Sequence, residues 1–402
     1  MGTKELAAAI PPLRSGRMSI PAMERIIFGS SFVDAVAEEV ERIGARRVFM
    51  IVSGTLNRNS DEVSKLRARL GASYAGLFDA IPQHVQRDAV LRAASAARAA
   101  DADLLVSVGG GSVTDATKTV RLCLEHDLRD LDAFEPFLLR SNPETGVLTA
   151  PDFRGPKIRH IAVPTTLSGG EFSPTAGSTD PVRKLKQGIR HPGLIPYCVV
   201  LDPHLALHTP METWLSTGIR CVDHAVEGYC SLQGNAMADA CSLLALPMLA
   251  KGLRASKEAP GSAEARAMCQ NGMWLAQIPM WSGVPMGASH GIGHVLGGSM
   301  GVPHGYCSCV TLPSVLRYNA AAGAGRQAQL SEALGLSGVA AADAIAALID
   351  ELGLPGHLRD VGVMEDRFDE IANKSMLDRW VHTNPVPIRT PDDVRKILSM
   401  AA

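Results

Sequence analysis

Asp103–Lys118 reads DLLVSVGGGSVTDATK, and this stretch decides the fold. Asp103–Val108 is a short, almost wholly apolar run, the composition of a strand buried on both faces, and Val113–Glu125 follows with helical spacing. Between them Gly109-Gly110-Gly111-Ser112 turns strand into helix. Adjacent glycines let backbone N–H groups approach a phosphate, and the helix N-terminus adds unpaired donors and a positive dipole end. The turn is neither G-x-G-x-x-G nor a Walker loop, so alone it does not separate a phosphate seat from a plain turn. Asp115 and Lys118, one turn apart on the new helix, favour a ligand.

Outward from this unit the pattern repeats. Arg47–Val52 (RVFMIV) is an apolar run closed by Ser53-Gly54, a helical pattern covers Ser60–Leu70, Tyr74–Ile81 reads as a strand and Val85–Ala100 as an Ala-rich amphipathic helix. Ile158–Pro164 and Tyr197–Leu201 add two strands, and Arg140–Pro156 is a turn-rich excursion. Near-continuous apolar strands alternating with helices point to a parallel sheet covered on both faces. After Pro210 strands vanish and helical patterns run to the end. The expected fold class is therefore α/β plus all-α: a parallel-sheet domain over residues 1–209, then an all-helical domain over residues 210–402.

The 402 residues carry Lys+Arg 39 against Asp+Glu 41, a net charge of -2, with 46% hydrophobic and 20% charged residues. This is ordinary globular usage and gives no electrostatic case for nucleic acid or an anionic membrane, so a small-molecule substrate is expected. The longest apolar candidate, Leu243–Ala250, carries Pro247 and is core-sized, and the N-terminal residues lack a secretion signal and read as a partly ordered arm. Eight scattered cysteines without C-x-x-C pairs read as reduced thiols of a cytoplasmic protein.

Two further stretches hold chemistry. Pro164-Thr165-Thr166-Leu167-Ser168-Gly169-Gly170-Glu171 closes a strand with hydroxyls and glycines, where open α/β sheets bind ligands. In the helical half, His224 lies in TGIRCVDHAVEGYCS, and His290, His294 and His304 lie in SHGIGHVLGGSMGVPHG, the first two of these one helical turn apart. Gly297–Gly301 matches the G-x-S-x-G elbow of hydrolases, but the residues before Ser299 read as helix, not strand. Cys307 and Cys309 lack partners for a metal site.

In this order, GGGSxxDxxK, a PTT loop, Asp-xxx-His, His-xxx-His and PHG, the chain resembles the iron-containing alcohol dehydrogenase superfamily. PTTLSGGEFSP is most similar to the maleylacetate reductase branch, and NPVPIRTPDDVRKIL resembles the family's C-terminal pattern. The resemblance implies an NADH- or NADPH-dependent reductase with a Rossmann-like N-terminal domain and its site in the cleft before the helical domain. A homodimer is expected. By matching position, Gly110, Gly111 and Ser112 hold the pyrophosphate, Asp115 sits near the nicotinamide, and Thr165, Thr166 and Lys186 contact the cofactor. His294 matches the histidine near hydride transfer, and His224, His290 and His304 match three metal-ligand positions.

The fourth ligand position departs from the pattern: where metal-dependent members carry Asp, four residues before His224, this chain has Arg220. At ~5 Å between side chains one turn apart and an effective dielectric of ~20, one positive charge facing a divalent ion costs on the order of 6 kcal/mol, roughly four decades of affinity. Asp223 is placed off the Arg220 face, 300° around the helix. The expectation is a reductase of small carboxylate-bearing enones or carbonyls, with maleylacetate reduction to 3-oxoadipate as precedent, working without metal. Arg220, His224, His294 and Asp115 are its candidate catalytic residues. The alternative is an iron- or zinc-dependent alcohol dehydrogenase whose three histidines hold the ion after Arg220 swings away. A cofactor-binding protein without turnover leaves the histidine set unexplained. Val52-Ser53-Gly54-Thr55 offers no acid for a ribose 2′-hydroxyl and places Arg58 near a 2′-phosphate, so both dinucleotides stay open.

Overall fold

The computed structural model describes residues 22–141 and 148–402. The expected N-terminal arm and the middle of the Arg140–Pro156 excursion lie outside the described residues. The chain begins with β1 (Arg25–Phe28), α1 (Phe32–Ile43), β2 (Val48–Val52), α2 (Gly54–Asn59), α3 (Glu62–Leu70), β3 (Tyr74–Phe78) and α4 (Arg87–Ala99). Then come β4 (Leu104–Gly109), α5 (Gly111–His126), the short pair β5 (Arg140–Ser141) and β6 (Leu148–Thr149), and β7 (Arg159–Pro164). β8 (Thr175–Asp180) and β9 (Leu185–Arg190) precede β10 (Cys198–Leu201), the last strand.

Six of these strands form one sheet in the order β1-β10-β7-β4-β2-β3, with every pairing parallel. β2 and β4 are buried at every position, as a sheet covered on both faces requires. The chain runs from β2 outward to β3 and then crosses to β4 on the other side, so the topological switch lies between β2 and β4. Ligands of open α/β sheets bind at that point, beyond the strands' carboxyl ends. There the Ser53 amide donates to the Val108 carbonyl at 2.8 Å, and the glycine turn opens α5 with no side-chain cap at its N-terminus.

The sequence reading missed β1, α2 and the antiparallel β8–β9 hairpin. The hairpin is held from below by two buried cations. Lys118 Nζ donates to the carbonyls of Gly170 at 2.5 Å, Ser173 at 2.8 Å and Thr175 at 2.9 Å, and Arg87 reaches Ser178 and Gln187. Lys118 is thus a buried structural clamp beneath the ligand edge.

The helical half continues from α6 (Pro203–Ala206) through α7 (Met211–Cys230), α8 (Ala236–Glu258), α9 (Ala263–Trp281), α10 (Ala288–Met300) and α11 (His304–Tyr318). It ends with α12 (Ala320–Ala333), α13 (Ala341–Glu351), α14 (Phe368–Ser375) and α15 (Pro391–Met400). The expected break near residue 210 falls between α6 and α7. The apolar Leu243–Ala250 run lies inside α8, which continues through Pro247 and is, among the described residues, the one helix long and apolar enough to cross a membrane. In this fold α8 packs Leu246, Leu249 and Leu253 into the core shared with α7 and α9. Ser299 lies within α10, so no strand precedes it and the hydrolase elbow is absent there.

Lys118→Met leaves three carbonyls without their charged donor. The expected result is a stability loss of about 3 kcal/mol by urea unfolding, the scale of buried hydrogen bonds to a charge. A loss below about 1 kcal/mol would show that the clamp contributes little.

Candidate active site

The candidate site is assembled from α7, α10 and α11, with Gln277 of α9, Asp378 and the 165–170 loop beside them. Along α7, Arg220, Asp223, His224 and Glu227 recur at i, i+3, i+4 and i+7, and all four are buried. Those intervals define one helical face. The expectation that Asp223 lies off the Arg220 face is therefore corrected: 300° around a helix is 60° the other way, and the two side chains converge.

Arg220 enters between α7, α10 and α11. Its Nη1 donates to Ser308 Oγ at 3.0 Å and lies 3.4 Å from Asp223 Oδ2. Nη1 also lies 3.7 Å from the position a Cβ on Gly293 would occupy, so the guanidinium rests against the turn joining His290 to His294. Asp223 Oδ2 further accepts from Ser308 Oγ at 2.6 Å and Ser289 Oγ at 2.9 Å. Arg220 Nε and Asp223 Oδ1 are buried without a hydrogen-bond partner. Burial and the neighbouring Glu227 push the Asp223 carboxyl up to about 8, and burial raises Glu227 as well. The two carboxyls titrate as a pair facing one guanidinium.

Three of the four histidines bond a partner of their own. His290 Nδ1 lies 2.7 Å from Glu227 Oε2, and Glu227 is anchored by the amides of Gly287 at 2.9 Å and Ser289 at 2.8 Å. His290 Nε2 is buried without a partner. His294 Nδ1 lies 2.8 Å from Asp378 Oδ2, and its side chain is 42% exposed. His224 Nδ1 meets the Gln277 amide Nε2 at 2.9 Å, and its ring lies 4.7 Å from that of His290. His304 opens α11 and is exposed. Burial first, then neighbouring positive charge, holds His224 and His290 well below the ordinary histidine range; for His304 the Arg220 charge is the larger cause.

Across the cleft, the candidate cofactor residues converge on the carboxyl edge of β4, β7 and the hairpin. A Cβ on Gly110 would lie 3.1 Å from Thr166 Cγ2, and one on Gly111 would lie 3.3 Å from Ser168 Cβ, so the turn and the 165–170 loop touch. Ser112 stands in the first turn of α5. Thr165 is buried, its amide donating to the Gly109 carbonyl at 3.1 Å. Asp115 Oδ2 accepts from the Gly177 amide at 3.0 Å, while Lys186 Cε packs 2.8 Å from where a Gly177 Cβ would stand. Arg58 Nη1 lies 2.9 Å from a Cβ position on Gly54, near Asp79, which accepts from Asn57 at 2.8 Å.

The sequence reading missed Gln277, Asp378, Glu227, Ser289 and Ser308. Glu227 was findable as the next member of the α7 stripe. Asp378 reaches His294 across 84 residues and left no local signal.

The N-terminal half, residues 23–203, matches the family model of iron-containing alcohol dehydrogenases, and residues 214–402 match the C-terminal model of the Fe-containing alcohol dehydrogenase family. The dehydrogenase FUM7 of Gibberella moniliformis is 34% identical over 94% of this chain and 96% of its own length. Maleylacetate reductase 2 of Cupriavidus pinatubonensis is 31% identical over 80% of this chain and 79% of its own. The crystal structure of maleylacetate reductase from Agrobacterium tumefaciens has the same fold, with a TM-score of 0.81, 27% identity and coverage of 97% and 98%. The parallel sheet with its glycine turn, the helical half with its histidines, and these matches over nearly the whole length lead to one conclusion: the chain belongs to the iron-containing alcohol dehydrogenase superfamily, in its maleylacetate reductase-like branch, and is an NAD(P)-dependent oxidoreductase.

Proposed function

We propose that the enzyme reduces a small carbonyl or enone that bears a carboxylate, using NADH or NADPH and no metal ion. The observation that carries this reading is the buried Arg220 guanidinium among the helices of His224, His290, His294 and His304. An iron or zinc ion does not fit this donor set. Arginine offers no lone pair, and its charge faces the place a cation would take. Among the described residues the group of His and acidic donors close enough to hold an ion is Asp223, Glu227 and His290; Asp223 is already bonded to Arg220 and serine hydroxyls, Glu227 to backbone amides, and His290 Nδ1 to Glu227. The competing metal-dependent reading draws support from the unpartnered His290 Nε2.

In the proposed roles, Gly110, Gly111 and Ser112 hold the pyrophosphate at the α5 N-terminus, and Thr165, Thr166, Lys186 and Asp115 position the rest of the dinucleotide. Bound nicotinamide supplies the hydride. Arg220, fixed by Ser308 and Asp223, and His224 bind or polarise the substrate oxygen by hydrogen bonding, the task a Lewis acid performs elsewhere. His294, oriented by Asp378, delivers the proton.

Paired substrates test this directly. A keto or 2-enoic acid is expected to be turned over at least about tenfold more efficiently than its methyl ester, and Arg220→Gln to erase the difference, because a guanidinium binds carboxylate through charged donors. Equal efficiency for acid and ester in the parent enzyme contradicts the assignment. His294→Ala is expected to lower kcat by about 10²–10⁴ at unchanged thermal midpoint, the share of a positioned acid; unchanged turnover removes His294 from the mechanism. Gly110→Val puts a branched side chain against Thr166 and the phosphate approach, and is expected to weaken dinucleotide affinity by more than about tenfold. Affinity within about twofold of the parent would move the phosphate seat elsewhere.

A further inference from the structure

Three histidines of the cleft use Nδ1 to bond a neighbour, and the neighbours are of two kinds. Glu227 and Asp378 are carboxylates, which accept a proton-bearing Nδ1 and leave Nε2 of His290 and His294 as a lone pair or proton carrier. The partner of His224 is an amide. Its orientation follows from the network around it. Cys221 donates its S–H to the Leu167 carbonyl at 2.7 Å, which leaves Sγ as an acceptor, and the Gln277 Nε2 lies 3.8 Å from that Sγ and 2.9 Å from His224 Nδ1. Both amide hydrogens thus meet acceptors, whereas the flipped amide would set its oxygen against the sulfur lone pairs.

The amide also cannot drift. Gln277 is buried, and Gly169, at φ +70°, lies so close that a Cβ there would come within 2.2 Å of Nε2 and 2.4 Å of Cδ. The 165–170 loop therefore presses the carboxamide onto His224.

We infer that Gln277 is a positioning residue that locks His224 in the tautomer protonated on Nε2, so that this histidine presents the substrate oxygen with a hydrogen-bond donor and not a lone pair. Resting on the metal-free reading above, this gives the cleft two fixed donors, Arg220 and His224, for a carbonyl or carboxylate oxygen, while His290 and His294 keep the opposite polarity.

The test is a two-bond ¹H–¹⁵N correlation on protein labelled at the histidine ring nitrogens, with His224→Gln identifying the His224 signals. The Nε2–H pattern is expected for His224 in the parent protein; the Nδ1–H pattern overturns the inference. Gln277→Glu replaces the donor with an acceptor, so the His224 signals are expected to change to a form carrying a proton on Nδ1, and kcat to fall by about tenfold or more with the cofactor KM unchanged. A Gln277→Glu enzyme with parental kcat and an unchanged His224 pattern also overturns it. If that variant does not fold, the parent spectrum decides alone. The spectrum is independent of substrate, so an Nε2–H pattern in an enzyme that ignores acids keeps the inference and refutes the proposed function, and an Nδ1–H pattern in an enzyme that prefers acids does the reverse.

Discussion

A guanidinium buried among helices must be compensated, because a buried charge without partners costs several kcal/mol. In this enzyme Arg220 is that charge, and the pocket is organised to hold it. Asp223 stands one turn along the same helix, Ser308 comes from α11 and Ser289 from α10, and Ser289 also bonds Thr311 at 2.8 Å. Arg220, through Ser308, and Asp223, through Ser308 and Ser289, together tie the three helices that carry the histidines. The same charge is the largest cause that lowers His304 and adds to the burial that lowers His224 and His290, so these three imidazoles are disfavoured as cations beside one permanent positive centre.

The 165–170 loop transmits that order to the sheet. The Thr165 amide bonds β4 through Gly109, and the Thr165 carbonyl accepts from Thr209 at 2.6 Å. Two residues on, the Leu167 amide donates to Thr217 on α7 at 3.2 Å and its carbonyl accepts from Cys221. Thr166 and Ser168 touch the glycine turn, and Gly169 touches Gln277 behind His224. The loop thus contacts both the proposed phosphate seat and the group that orients a proposed catalytic histidine.

Much of this was legible from residues alone. DLLVSVGGGS announced a buried strand, a turn and an uncapped helix because apolar periodicity and glycine act locally. Arg220 was legible only through the family resemblance, which places an Asp four residues before His224 where this chain has arginine. The β8–β9 hairpin was not, since Thr175–Asp180 mixes small and polar residues and its support comes from Lys118 and Arg87, distant in sequence. Gln277 and Asp378 were equally silent: nothing near them marks a partner on another helix. Asp223 was misread for a different reason, an angle counted the long way around α7.

On the proposed reading, Arg220 puts a guanidinium where a metal-dependent member of this family would place a ligand carboxylate. Elemental analysis of protein purified without added metal, before and after dialysis against a strong chelator, tests it most directly. A metal-free enzyme is expected to carry iron and zinc well below one equivalent per chain and to keep its activity after the chelator. About one equivalent of iron or zinc per chain, lost together with activity, would contradict it and restore an ordinary three-histidine metal site.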